Sequence, residues 1–439
     1  MPNESSQNPD AQLVRAIGVP GLAANIVNTT IGASIFVLPA AMAKMLGGAA
    51  PVAFFVCAVA MAIFVTCFAI AGSRVSLTGG LYAYVEVAFG RYVGFLAGLM
   101  NFTTAILSVS AVVNVLATAV AALLPSLNSG MVRAVTILLV YAALVAINVR
   151  SVRAGTRAIE FVTLIKVIPL LVFIAVGIFF IHPAALAVTM PADSKSLGDS
   201  VLLLMFAFFG IESSLTPSGE VRNPSRTVPR AIYLAISITT IIYILIQVVA
   251  EGTLGPRLAG STTAPLAESA GIFLGNFGRL LLLVGATISS FGYVTSDILN
   301  TPRTLFAFGR DGILPRALAH VHPRFRSPDV AIIVYALLAF PLSLSSSFEG
   351  LAVMANVAAL LLYLLCCAAA WELVRRNVRT DGPPFGFRGG QILPFVAIAL
   401  IIWMLAHATS KEFITLGGVL TVGSVLYLAR RLTSRRIAT

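Results

Sequence analysis

The chain alternates between long apolar runs and short polar or Pro/Gly-rich breaks. Twelve apolar segments stand out, with approximate limits 16–46, 49–72, 88–124, 130–148, 158–181, 197–219, 230–254, 272–308, 329–347, 350–373, 391–408 and 412–430. A run of about 20 apolar residues is long enough to cross a hydrocarbon core about 30 Å thick. The runs are continuously apolar instead of alternating at every second residue, so they predict helices and not barrel strands. The expected fold class is therefore an all-α integral membrane protein with twelve transmembrane helices. The third and eighth segments exceed one perpendicular crossing and are expected to tilt or to extend past the bilayer.

Two of the twelve segments are interrupted. The first contains "NTTIGASIFVLPAAMAK", residues 28–44, with Gly32, Ala33 and Ser34 near its middle. The sixth contains "LMFAFFGIESSLTPSGE", residues 204–220, with Gly210 and Glu212 at the corresponding place. Five segments separate them, so they cross in opposite directions. Segments 1–5 and 6–10 can then form two inverted repeats, each opening with a broken helix. Within lipid, irregular backbone survives only where protein or a water-lined cavity satisfies it. A break frees amide N–H groups that suit a carboxylate and carbonyls that suit an ammonium. Paired interruptions at matching positions point to the binding site of a secondary transporter. Close helix packing is the competing explanation of small residues such as these, but an ionisable Glu212 at this depth points to function.

Composition agrees with the pattern. The 439 residues are 58% hydrophobic and only 10% charged, with a mean hydropathy of +0.96. A soluble domain has about 25% charged residues. The net charge of +12 suggests a nucleic-acid partner until its distribution is considered. With the N-terminus placed inside, Lys44, Arg133, Lys195, Arg257, Arg279 and Lys411 fall outside and Lys166 lies within a segment; all other Lys and Arg are on the inner side. That asymmetry predicts a multi-pass inner (plasma) membrane protein with both termini cytoplasmic, and anionic inner-leaflet lipid as its partner instead of nucleic acid. Residues 1–15 are expected to be a cytoplasmic tail, since "MPNESSQNPDA" has no basic-then-apolar signal pattern; 431–439 form a second tail. Cys57, Cys67, Cys366 and Cys367 lie inside apolar segments and read as small buried hydrophobes. The four histidines sit near segment ends and form no catalytic or metal set with them, so no metal, no cofactor and no enzymatic function is expected, and no obligatory protein partner is evident.

Three motifs carry a family resemblance. "IGASIFVLPA" resembles the first-segment signature G-S-G-[IV]-F-x-x-P of the amino acid–polyamine–organocation (APC) transporters. "FAFFGIESSLTPSGEVRNPSRTVPRAI" is similar to their sixth segment and following loop. "PRTLFAFGRDGILPRALAHVHPRF" resembles the loop after their eighth segment. The resemblance runs from about residue 15 to 430. It implies a LeuT-type fold: a first repeat at 16–181, a second at 197–373 and two peripheral helices at 391–430. It further implies that a substrate carboxylate meets the N–H groups of Ala33, Ser34 and Ile35, beside Gly32. The α-ammonium would meet carbonyls near Thr30, Phe206 and Phe209, with Gly210 beside them; Glu212, an acid the family carries in members with different substrates, either binds a cationic substrate or holds the unwound segment and links it to protons. Phe206 matches the aromatic cap on the outer side. Ser34 stands where the family has a second glycine, which favours a small amino acid.

The remaining intramembrane charges are candidates for coupling and gating. Lys166 lies about nine residues into segment 5, or roughly 13 Å from the inner face at helical rise. By resemblance its ammonium takes the place of a sodium ion between segments 1 and 8, facing Ser289 and Ser290. Its protonation is then a candidate step for proton coupling, and a fixed-charge strut is the alternative. Asp297 is expected to be a cytoplasmic gate partner for an arginine, Arg303 being six residues away. Glu220, Arg222, Arg226, Arg230, Arg310 and Asp311 read as an inner-face cluster or a gating ion-pair network. The reading that follows is a sodium-independent amino acid transporter working by alternating access. It favours small or neutral L-amino acids, with a proton as the candidate coupling ion. A cationic amino acid or polyamine exchanger using Glu212 is the alternative within transport, and a non-transporting amino acid sensor the alternative outside it.

Overall fold

The computed structural model describes residues 18–437 except 76–80, 125–129, 151–165, 187–193, 212–220, 222, 262, 311, 379–383 and 387–388. Among the described residues the regular structure is helical, with no strand. In chain order the helices are α1 Val19–Thr30, α2 Leu38–Leu46, α3 Ala50–Gly72, α4 Leu81–Phe89, α5 Arg91–Leu123, α6 Gly130–Arg150, α7 Ile168–Gly177 and α8 Ser194–Leu204. They continue with α9 Pro224–Leu254, α10 Pro265–Asn300, α11 Pro302–Arg310, α12 Asp329–Ser345, α13 Phe348–Arg375, α14 Leu393–Leu405 and α15 Ser410–Ile437. Among the described residues, seven helical stretches are long and apolar enough to cross a membrane, and three shorter apolar helices accompany them. The protein is a multi-pass membrane protein.

Proline marks the helix starts. Pro20, Pro39, Pro51, Pro169, Pro265 and Pro394 each fall in the first two positions of their helix. There the missing N–H would have had no intrahelical acceptor, and the fixed φ is already helical. The two overlong segments resolve differently. The third is one unbroken helix of 33 residues, α5, about 50 Å at helical rise, so it projects beyond a hydrocarbon core of about 30 Å. The eighth is divided: Gly275 leaves helical geometry at φ 59°, and Thr301 separates α10 from α11. A short helix not marked among the twelve segments, α4, lies in the loop before α5 and packs on both α5 and α13.

The core is built around α5, which packs against α13, α10, α4 and α12. Beside it α9 packs against α1 and α3. By contrast, α6 and α15 turn large apolar side chains such as Leu139 and Ile414 outward, as lipid-facing helices do. All four cysteines are free and buried, in line with their reading as small hydrophobes.

Candidate substrate site at two broken helices

The first apolar segment is broken where its sequence loosens. Helix α1 ends at Thr30, and the Ile31 N–H closes the last turn on the Val27 carbonyl at 2.9 Å. Ile31 then takes ψ 89°, which cannot continue a helix. Ser34–Phe36 form one 3₁₀ turn before α2 begins at Leu38. Among the described residues, the N–H groups of Gly32, Ala33, Ser34 and Ile35 have no backbone acceptor, whereas those of Phe36 and Val37 bond the Ala33 and Ser34 carbonyls. Four consecutive donors therefore lie at the start of a helix whose first turn carries no acid. Ala33, Ser34 and Ile35 are nonetheless buried, and a buried free N–H is costly unless something accepts from it. A carboxylate is the ligand that this combination of donors and helix dipole fits.

The sixth segment breaks in another way. α8 tightens into a 3₁₀ turn at Met205–Phe208, Phe209 becomes extended, and Gly210 adopts φ 107°. Only glycine takes that conformation readily. It is also required sterically, since a Cβ on Gly210 would sit 2.6 Å from the Thr29 carbonyl oxygen. The two breaks thus touch: the Thr29 hydroxyl lies 3.1 Å from the Gly210 carbonyl. Phe206 packs on Phe209, with ring centroids 5.4 Å apart, and edge-on against Phe348 at 5.5 Å. Of the residues expected to form the site, Thr30, Ala33, Ser34, Ile35, Phe206 and Phe209 are all buried, with Gly32 and Gly210 partly so. Glu212 lies outside the described residues.

Side chains from neighbouring helices hold the breaks, and these were not foreseen. The Tyr243 hydroxyl of α9 lies 3.0 Å from the Thr30 carbonyl and 2.8 Å from the Ala207 carbonyl, one from each broken segment. Asn356 of α13 donates from Nδ2 to the Leu202 and Leu203 carbonyls at 2.6 and 3.2 Å. The detectable signal was a polar stripe. Thr239, Tyr243, Gln247 and Glu251 recur at every fourth residue along one face of this largely apolar helix, and all four are buried.

Lys166 donates from Nζ to the Asn28 carbonyl, in the last turn of α1. A cation suits that place because the carbonyl end of a helix is its negative end. Among the described residues Nζ makes no hydrogen bond to Ser289 or Ser290. Ser290 bonds the Ala286 carbonyl of its own helix at 2.7 Å, and the buried Ser289 hydroxyl has no partner among the described residues. Asp297 accepts from the Tyr335 hydroxyl and from Thr301 Oγ1, the latter at 2.8 Å. Arg303 is exposed and makes no ion pair with Asp297. Arg226, Arg230 and Arg310 are likewise exposed, while Glu220, Arg222 and Asp311 lie outside the described residues. No group of three or more metal-ligating side chains occurs among the described residues.

A sequence model of the amino acid permease family matches residues 17–425. The chain belongs to this family. The permease is thus a member of the APC superfamily and a transporter, not an enzyme. It is 30% identical over 432 residues to an uncharacterised transporter of Mycobacterium tuberculosis, covering 97% of this chain and 93% of that one. It is 26% identical over 427 residues to a serine/threonine exchanger of Bacillus subtilis, covering 94% and 95%. A methylthioribose transporter of the same bacterium is 24% identical over 441 residues, covering 96% and 95%.

Proposed function

We propose that the permease is a sodium-independent secondary transporter of small or neutral L-amino acids that works by alternating access. In this reading the chain crosses the inner (plasma) membrane twelve times with both termini in the cytoplasm. Segments 1–5 and 6–10 are inverted repeats of the LeuT type. The observation that carries it is the set of four adjacent N–H groups without backbone acceptors, buried where two broken helices touch. The substrate carboxylate accepts from Ala33, Ser34 and Ile35, and its ammonium lies at the carbonyl ends near Thr30, Phe206 and Phe209. Phe206 caps the site.

Two further observations support the details. Apart from Glu212, which lies outside the described residues, the site offers hydroxyl and backbone groups and no charged side chain, which favours a neutral substrate. The serine/threonine exchanger among its relatives is named for substrates of that kind. Lys166 fills with its ammonium the position at the end of α1 where carbonyl oxygens would bind sodium, so no sodium is needed. Asp297, hydrogen-bonded to Tyr335, and the exposed Arg303 belong to the inner gate, where they meet only in another conformation.

The test is uptake of a panel of labelled L-amino acids into liposomes carrying the purified permease. Each amino acid is run with and without an inward proton gradient, and with and without unlabelled amino acid inside. Saturable uptake of serine, threonine or alanine without sodium is expected. Inhibition by arginine or putrescine, with no effect of neutral amino acids, would replace this reading with a cationic exchanger. Saturable binding without movement would make the protein a sensor.

A further inference from the structure

The polar stripe of α9 continues beyond the substrate site, and its last two members have no role in the reading above. Gln247 and Glu251 are one turn apart and buried, at 0% and 4% exposure. Gln247 donates from Nε2 to Glu251 Oε1 at 2.9 Å and to the Pro39 carbonyl of α2 at 3.3 Å. The two remaining oxygens, Gln247 Oε1 and Glu251 Oε2, are buried without any hydrogen-bond partner among the described residues. Such a pair is costly if Glu251 is ionised. Four acceptor sites and a full charge are then served by one neutral amide hydrogen.

Charged groups elsewhere do not relieve it. The elements packed against α9 are α1, α2, α3, α7, α10 and the 3₁₀ turns at Ile178–Phe180, Pro183–Leu186 and Gly255–Gly260. Their titratable groups toward this end are Lys44 of α2, Cys57 of α3, Glu268 of α10, Arg257 and the adjacent His182; Lys166 precedes α7. Lys44, His182, Arg257 and Glu268 are exposed. The Cys57 thiol faces the Val201 carbonyl, and Lys166 bonds Asn28. Among the described residues none forms an ion pair or hydrogen bond with Glu251.

One proton removes the difficulty. A protonated Glu251 has no charge, and its new O–H is a donor that Gln247 Oε1 can accept. A carboxylic acid and a primary amide then satisfy each other in both directions. We propose that Glu251 is a proton-binding site of the permease, held as the neutral acid by Gln247 in the conformation described. The proton is released as Gln247 changes its contact with the Pro39 carbonyl when α2 moves. The step is a simple acid dissociation, with the proton exchanged with the outer solution. The distance is short, because the next residue, Gly252, already accepts from the backbone N–H of the exposed His182 at 2.9 Å. The link to α2 is what makes the site a coupling device, and that part rests on the transport reading above; proton occupancy itself does not.

The experiment has two arms. Infrared spectra of the permease in lipid nanodiscs are recorded across pH for the wild type and for Glu251→Gln, which keeps the shape of the neutral acid. A carbonyl stretch of a protonated carboxylic acid is expected in the wild type at neutral pH, absent from the variant and titrated away in alkali. A difference spectrum at neutral pH that shows only ionised carboxylate bands would overturn the proposal. If Glu251→Gln does not assemble, Gln247→Met serves, since loss of the partner must shift the frequency of the band. In the second arm, amino acid uptake by the wild type rises by up to about tenfold per pH unit, the slope of one proton, as the pH falls from alkaline toward neutral, and levels off where the infrared band is full; the profile is flat in Glu251→Gln. An unchanged profile would overturn the coupling. Failure to find any transported amino acid would count against the transport reading and leave the infrared arm to decide the proton site.

Discussion

The two breaks differ in kind. The first, at Ile31–Val37, is made of small residues and exposes a row of backbone donors before a proline-started helix resumes. The second, at Phe209–Ile211, is packed with phenylalanines and turns on a single left-handed glycine. One break supplies hydrogen-bonding capacity, and the other a packed aromatic wall that caps the site in the proposed function. Sequence chemistry assigns these roles, because Gly-Ala-Ser leaves room beside the backbone whereas Phe-Phe-Gly fills it on one side. Where a binding site is made of main chain, side chains act by deciding how much of that main chain a ligand can reach.

Mutations can test the division. The largest effect is expected at Gly210, where the two breaks meet. Gly210→Ala places a methyl 2.6 Å from the Thr29 carbonyl oxygen at a φ that alanine avoids, so uptake should fall to background in vesicles containing correctly assembled protein. Normal uptake by this variant would mean that the breaks are not in contact during transport. Next is Lys166→Met, which leaves the Asn28 carbonyl without its cationic donor. Gradient-driven uptake into empty vesicles should be lost; if exchange into preloaded vesicles remains and ignores pH, the lysine is a fixed strut. Tyr243→Phe removes the hydroxyl shared by both breaks. The cost of a buried acceptor left without its donor is about 1–3 kcal/mol, so a drop in uptake of about tenfold is expected, together with a lower unfolding temperature. Ser34→Gly should have the smallest effect. It opens the first break by one hydroxymethyl group, so affinity for alanine should change by only a few-fold while larger neutral amino acids gain; loss of all uptake would give the Ser34 hydroxyl an essential role.

Much of this was legible in the sequence, for a physical reason. Lipid leaves backbone groups no alternative partner, so each departure from helix must be written in glycine, proline or small polar residues. Both breaks were visible in this way, and the cysteines and lipid-facing runs followed from apolarity alone. Residues acting across helices were harder to read. Tyr243 looks like an ordinary core aromatic until its spacing from Thr239 and Gln247 is noticed, and even then the sequence does not say which carbonyls it meets. Asp297 lies six residues from Arg303, yet its partner here is Tyr335, on a helix more than thirty positions away. Helix α4 was missed because its nine residues fall short of a crossing and merge with a loop. The division of segment 8 depends on Gly275 and Thr301, which interrupt the apolar pattern too little to be noticed.

The Tyr243 hydroxyl has one hydrogen and stands between two carbonyl oxygens, at 3.0 and 2.8 Å. When the two broken helices slide past one another in the proposed alternating-access cycle, that hydrogen can pass its allegiance from Ala207 to Thr30 by rotation about a single C–O bond. No buried donor would be stranded along the way, so in the proposed cycle the joint between the two broken helices turns as a low-friction bearing. Its resting position is set by whichever carbonyl is nearer, and a ligand that draws either break a fraction of an ångström closer tips it.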